Sequence, residues 1–299
     1  MELIIFGGGR WSEEIFNELN NFFNVKRFSF VTNNKNFLKG IRLTNKKVTI
    51  KKTINLKNIH KNSKIVICNK AENHFKTLKK INHLKNDILI EKPLFTEIKH
   101  INILKNKKNV YFSNLFSFDR SLALFSKKIK NKNIMKCEII WSDKKKEYRR
   151  GKRKNQNYNI NFTLDIFSHL ISLVSTISKN GINKIKNCTI YKFNNDESNF
   201  KFEINKINYY FKISRKDKIR KRLIIITEKK QKNIIDFSKN RSLGCHNHTK
   251  KIKKYSYRSS KSLNRMLKSF IKKDNNLKKI SIKNGIKSLI IYNKFFRNL

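Results

Sequence analysis

Asp165 and His169 stand four residues apart in the apolar run 162–177, whose pattern predicts a helix from Phe162 to Ile177. That spacing puts both side chains on one helix face. A carboxylate beside an imidazole can orient the ring and shift its pKa, which suits proton transfer near neutral pH. Taken alone, a histidine on an apolar helix reads more readily as a core residue. Lys92 is the third candidate. It lies directly after the buried-strand pattern Ile88-Leu89-Ile90, and it precedes Pro93, the only proline of the chain. A lysine there supplies a donor and a positive charge at the strand end, where α/β proteins place their working groups. Proline fixes φ, removes a donor and is the common route to a cis peptide. A chain that keeps a single proline has reason to need that geometry, although on the tripeptide Glu91-Lys92-Pro93 alone a plain loop proline fits equally.

A second constellation opens the chain. Gly7-Gly8-Gly9-Arg10-Trp11-Ser12 follows the first apolar run and fits G-x-G-x-x-G with Ser12 in the third glycine place. Gly7 would allow the tight turn, Gly9 a close backbone approach to a pyrophosphate, and the following helix its N–H groups and positive dipole end. Three of the eight glycines lie here. An NAD site normally carries an acid at the end of the second strand. Here Val31-Thr32-Asn33-Asn34-Lys35 has none. Thr32 and Asn33 could bond a 2′-phosphate and Lys35 neutralise it, which favours NADP and leaves NAD open.

The elements that must hold these residues are readable from periodicity. Leu3–Phe6, Arg27–Val31, Val48–Ile50, Lys64–Cys68, Ile88–Ile90 and Val110–Phe112 predict strands. Helical stretches through Trp11, Ile15, Leu19 and Phe22, and through His74, Leu78 and Ile81, fall between them. This alternation predicts a doubly wound parallel sheet over residues 1–116. From 117 to 299 the pattern predicts an α+β domain with a largely antiparallel open sheet. It comprises helix Ser121–Ile129, strand Met135–Trp141, a loop Asp143–Asn159 and the apolar helix. Strands Cys188–Phe193, Phe200–Ile204, Ile207–Ile213, Leu223–Thr227 and Ile234–Phe237 follow, then a loop Ser238–Ser260. Helices Ser262–Lys272 and Ile282–Phe296 close the chain.

Lys and Arg number 71 against 20 Asp and Glu, a formal net charge of +51. Such an excess can mean nucleic acid, an anionic membrane or an acidic partner. The lysines are spread along the whole chain, and Lys, Asn and Ile are abundant together while Gly and Pro are scarce, so biased coding accounts for the charge better. The densest basic run, Lys144–Lys154, could steer an acidic or phosphorylated substrate, and reads as well as a solvated loop. The four cysteines form no CxxC pair, so neither a zinc ribbon nor a disulfide framework is expected. Cys245-His246-Asn247-His248 is expected to be a loop and not a metal site. The start lacks a signal-peptide pattern and no apolar run has membrane-span length, so a cytoplasmic protein is expected.

In this order the pieces resemble the Gfo/Idh/MocA oxidoreductases, the glucose–fructose oxidoreductase and inositol dehydrogenase group. The resemblance rests on the glycine loop, on Ile65–His74 with Asn69 and His74, on Glu91-Lys92-Pro93, and on Asp165-x-x-x-His169. It implies a Rossmann domain with a second α/β domain, assembled as a homodimer or homotetramer, and a small-molecule substrate; from the composition and hydropathy, neither nucleic acid nor membrane is expected as partner. It also implies NAD(P)-linked hydride transfer on a sugar-, cyclitol- or imine-like substrate. Lys92 would bind the reacting oxygen, His169 would be the acid–base and Asp165 would orient it. Gly7 to Ser12, Thr32, Asn33, Lys35, Asn69, His74, Glu91, Lys92 and Pro93 would hold the cofactor. The chain departs from the family pattern at Phe167 and Ser172, where a glycine and a second acid are usual, and it lacks an arginine in Ser113–Phe118. The competing reading is a basic binding protein on a catalytically degenerate scaffold of the same kind.

Overall fold

The computed structural model describes residues 1–34, 47–129, 134–149, 152–153, 156–178, 181–182, 185–238, 252–255, 261–297 and 299. They form two compact units, Met1–Phe118 with Lys261–Lys294, and Asp119–Ser260 with Phe295–Leu299.

The first unit contains a six-stranded sheet of β1 (Glu2–Phe6), β2 (Arg27–Val31), β3 (Lys47–Lys51), β4 (Lys64–Ile67), β5 (Ile88–Ile90) and β6 (Val110–Phe112), in the order β3-β2-β1-β4-β5-β6. All neighbours run parallel. This is the doubly wound arrangement that the alternation of elements predicts. Strands covered on both faces need continuous apolar runs, not alternation. Accordingly Leu3, Ile4 and Ile5 of β1 and Ile65, Val66 and Ile67 of β4 are wholly buried, whereas edge strand β3 is not. Helix α1 (Arg10–Leu19) lays Ile15, Phe16 and Leu19 on the sheet, with the Phe16 and Phe28 rings edge to face at 4.8 Å. Helix α2 (His74–Ile81) buries His74, Leu78 and Ile81.

In the second unit, helices α3 (Arg120–Lys128) and α4 (Phe162–Ile177) accompany a seven-stranded sheet. Its strands are β7 (Ile134–Lys144), β10 (Ile185–Phe193), β11 (Glu197–Ile204), β12 (Ile207–Asp217), β13 (Lys221–Glu228), β14 (Lys232–Asp236) and β15 (Ile252–Tyr255). The order is β10-β11-β12-β7-β13-β14-β15. Pairs β12/β7 and β14/β15 are parallel and the rest antiparallel. The hairpin β11–β12 turns on Asn205 and Lys206, both at positive φ (52° and 64°), the twist that two-residue turns need. One face alternates inward with Phe200, Phe202, Phe211, Ile213, Ile139, Trp141, Ile224 and Ile226, and α4 packs across β11 and β12.

Three expectations change. The stretch 143–159 is not all loop: β7 continues to Lys144, and β8 (Tyr148–Arg149) pairs with β9 (Lys152–Arg153). Strand β15 lies within the expected loop 238–260; Cys245 to His248 fall outside the described residues, as does Lys35. Helices α5 (Ser262–Lys272) and α6 (Ile282–Phe296) were expected with the second domain, yet residues up to Lys294 cluster with the first unit. The reason is the apolar stripe of α5. Met266, Leu267, Phe270 and Ile271 enter one core with Ile15, Phe16 and Leu19. Asn264 Nδ2 donates to Glu18 O at 2.8 Å, and Arg265 donates twice to Phe118 O. Among the described residues no helix is long and apolar enough to cross a membrane.

Candidate active site

Strand order reverses at β1, whose neighbours are β2 and β4, and there an open α/β sheet leaves a crevice at its C-terminal edge. The glycine loop lies at that point, between the end of β1 and the start of α1. Gly7 N donates to Val31 O at 3.1 Å, and Cys68 N to Phe6 O at 3.0 Å, so the loop is stitched to both flanking strands. Gly7 has φ 154°, and a Cβ there would meet Ser12 Oγ at 2.8 Å and Cys68 O at 3.0 Å. Ser12 stands where a third glycine is usual, and its Oγ lies 3.2 Å from Cys68 Sγ. Burial pushes the Cys68 thiol up to about 12, so it stays a neutral thiol. At the end of β2, Asn34 N donates to Thr32 Oγ1 at 3.0 Å, and Asn34 Nδ2 to Gly8 O at 2.6 Å. Asn33 is exposed beside them.

Asn69, His74 and Pro93 form one linked group. His74 Nδ1 is 2.9 Å from Pro93 O and Nε2 is 3.2 Å from Asn69 O, while Asn69 Nδ2 donates to Thr77 Oγ1 at 2.8 Å. Both acceptors of the ring are carbonyls, so an imidazolium would satisfy both. Burial outweighs them and holds the pKa below 6.5, so the neutral ring donates through one nitrogen. The Lys92–Pro93 peptide is cis. Glu91 is buried: its Oε2 accepts from Lys92 N at 3.2 Å, and the Ser113 hydroxyl and Trp11 indole face the carboxyl. Burial raises its pKa above 4.5 despite these donors and the Lys92 charge. Both ring nitrogens of His74 thus lie against backbone carbonyls, whereas Glu91 uses Oε2 on Lys92 N and keeps Oε1 buried without a hydrogen bond among the described residues. Lys92 is half-buried at the end of β5.

In the second unit Asn161 caps α4 by accepting from Thr163 N at 2.8 Å. Between Phe162 and Val174 only Asp165 and His169 are not buried, so they form the one open strip of that face. Arg215 of β12, 2% exposed, grips the approach to the helix. It donates to Asn157 O at 2.8 Å and to Asp196 Oδ1 at 2.6 Å, with its guanidinium over the Tyr158 ring. The His169 imidazole stacks on Trp141, ring centroids 5.6 Å apart and planes at 26°. Periodicity did not single out Trp141, Arg215 or Arg222; the available signal was an acid, Asp143, and two arginines at inward positions of strands in a chain poor in acids.

No family model and no curated protein sequence matches this chain. Its fold is that of dehydrogenases of the Gfo/Idh/MocA type. A WlbA dehydrogenase from Bordetella pertussis, solved with NADH and UDP-GlcNAcA, superposes with a TM-score of 0.71 at 10% identity, covering 99% of this chain and 95% of that one. A UDP-N-acetylglucosamine 3-dehydrogenase, GnnA, from Acidithiobacillus ferrooxidans gives 0.69 at 11% identity over 98% and 96%. A myo-inositol dehydrogenase from Lactobacillus casei, solved with NAD(H) and myo-inositol, gives 0.66 at 13% over 97% and 91%. At these identities the likeness is one of fold.

Proposed function

We propose that this protein is a nicotinamide-dependent oxidoreductase that moves a hydride between the cofactor and a carbonyl or alcohol of a sugar- or cyclitol-like substrate. Reduction of a C=N bond belongs to the same reading. The observation that carries it is the glycine loop at the strand-order reversal, with a Lys-Pro pair at the end of β5. The residues fit the cofactor. A Cβ on Gly9 would meet nothing within 4 Å, so open space lies above the loop where a pyrophosphate needs it. Arg10 and the first-turn N–H groups of α1 would face that charge. The end of β2 carries no carboxylate through Asn34, which removes the group that would repel a 2′-phosphate and supports NADP over NAD.

When bound, the nicotinamide supplies the hydride acceptor or donor, and the protein supplies position and proton handling. Lys92 would donate a hydrogen bond to the reacting oxygen and offset charge that develops there. His169 would take the hydroxyl proton as the C–H hydride leaves an alcohol, or return it when a carbonyl is reduced. Asp165, one turn earlier on the same face, would orient the imidazole. Two of the dehydrogenases that share this fold are named for a nucleotide sugar and for myo-inositol, and such polyols are the first substrates to screen.

The test is a fluorescence titration with NADPH and NADH, followed by turnover of Lys92→Ala and His169→Ala. Saturable binding is expected, with both variants losing about 10²–10⁴-fold in turnover while cofactor affinity is kept. Absence of binding by folded protein would overturn the cofactor assignment; undiminished turnover in both variants would overturn the residue assignment.

A further inference from the structure

We propose that Trp141, locked by the buried Arg222–Asp143 ion pair, is the positioning residue for the His169 imidazole. The inference rests on the reading of His169 as the acid–base. Trp141 and Arg222 are cross-strand partners in the β7/β13 register. The Arg222 guanidinium carbon is 3.9 Å from the indole centroid. The same guanidinium donates to Ser142 O at 2.5 Å and to Lys221 O at 3.0 Å, and it is ion-paired with Asp143. The Arg222 and Asp143 side chains are 4% and 3% exposed. Phe237 meets the indole edge to face at 6.2 Å. The indole is therefore held by a charged plane, a ring edge and its own strand.

A plain core does not require this arrangement. A buried ion pair is weak evidence for stability, because apolar residues of the same volume often do as well. Here the pair sits beside an aromatic plane against which the half-buried histidine of α4 lies. The helix backbone sets the His169 Cβ, and the indole sets the plane of the ring, so the line through its two nitrogens is set as well. Proton transfer depends steeply on such placement, and an error of about 1 Å costs on the order of 10²-fold.

Trp141→Leu keeps the site apolar and removes the stacking plane. Two measurements read it. The His169 ring-proton resonances, assigned by their loss in His169→Asn, are expected to shift toward random-coil positions. The value of kcat is expected to fall about 10- to 100-fold while cofactor Kd and KM stay as in wild type. Trp141→Phe keeps a ring and fills the core, so it should hold the resonances nearer their native positions and lose less turnover; it carries the comparison with wild type if Trp141→Leu does not fold. Unmoved His169 resonances, or unchanged kcat, in a folded variant would make Trp141 a core residue only. If wild type neither binds cofactor nor turns over, the proposed function fails, and the resonances still decide whether the indole holds the ring.

Discussion

Gly8→Ala and Gly9→Ala separate the two duties of the glycine loop. A Cβ on Gly8 would lie 2.0 Å from Thr32 Oγ1, 2.6 Å from Thr32 Cβ and 2.8 Å from Thr32 Cγ2. Ordinary carbon contacts are about 3.5–4.0 Å. Turning Thr32 about χ1 gives no relief, because a β-branched residue exchanges one γ atom for the other and its Cβ remains in the way. The loop must move off the end of β2, breaking the Asn34–Gly8 bond and straining that between Asn34 and Thr32. Overpacking costs about 1–3 kcal/mol, and each hydrogen bond about 0.5–1.5 kcal/mol. With one bond lost the sum is about 1.5–4.5 kcal/mol, and at about 2–4 °C per kcal/mol for a domain of 150–250 residues the melting temperature should fall by roughly 3–18 °C. The Gly9 position is open, so Gly9→Ala should melt within about 0.5 kcal/mol of wild type and still bind NADPH at least tenfold more weakly, because the methyl occupies the space assigned to the pyrophosphate. Thermal melts by circular dichroism and fluorescence titrations read both variants. In a Thr32→Gly background, which removes all three contacting atoms, Gly8→Ala should cost less than half as much. A Gly8→Ala protein as stable as wild type, or an equal cost in both backgrounds, would refute the steric argument. Unchanged NADPH affinity in Gly9→Ala would refute the placement of the pyrophosphate.

Other consequences can be measured by the same methods. Glu91 has its folded-state pKa raised above 4.5. Its contribution to stability is therefore full below the ordinary carboxylate range and lost as pH rises through the folded value. The melting-temperature advantage of wild type over Glu91→Gln should be larger at pH 5 than at pH 8, and equal differences would contradict the upward shift. His74 is shifted the opposite way, below 6.5. Its contribution is present above that value and lost as pH falls, so the advantage over His74→Gln should shrink between pH 8 and pH 5.5. Gly285 in α6 lets the helix approach β6: a Cβ would meet Phe112 Cγ at 2.7 Å and Leu94 Cδ2 at 3.2 Å. Gly285→Ala should destabilise by about 1–3 kcal/mol in chemical denaturation despite its better helix propensity; a gain in stability would mean that the close approach is absent.

What the sequence by itself determined is what local spacing encodes. Continuous apolar runs declared β1, β4 and β5 as covered strands, glycines between a strand and a helix declared the loop, and the interval from Asp165 to His169 put both on one face. These follow from periods of two and 3.6 residues and from backbone freedom, which neighbours in sequence set. Only the tertiary structure decided which partner covers each face. The stripe of α5 announced that something would pack against it, and the packing of α1 and the β1–β2 face made that the first unit. The insertion of β7 between β12 and β13 was invisible for the same reason, since pairing registers join segments that share no local signal. Glu91 and His74 carried polar types that suit a ligand, and only the tertiary structure set the two carbonyls against the His74 ring and buried the Glu91 carboxyl. The stack of Trp141 on His169, and the grip of Arg222 on Trp141, depend on residues 79 positions apart in the case of Arg222 and Asp143. A buried charge in a strand is legible as functional only once its counter-charge is placed, and chain topology alone places it.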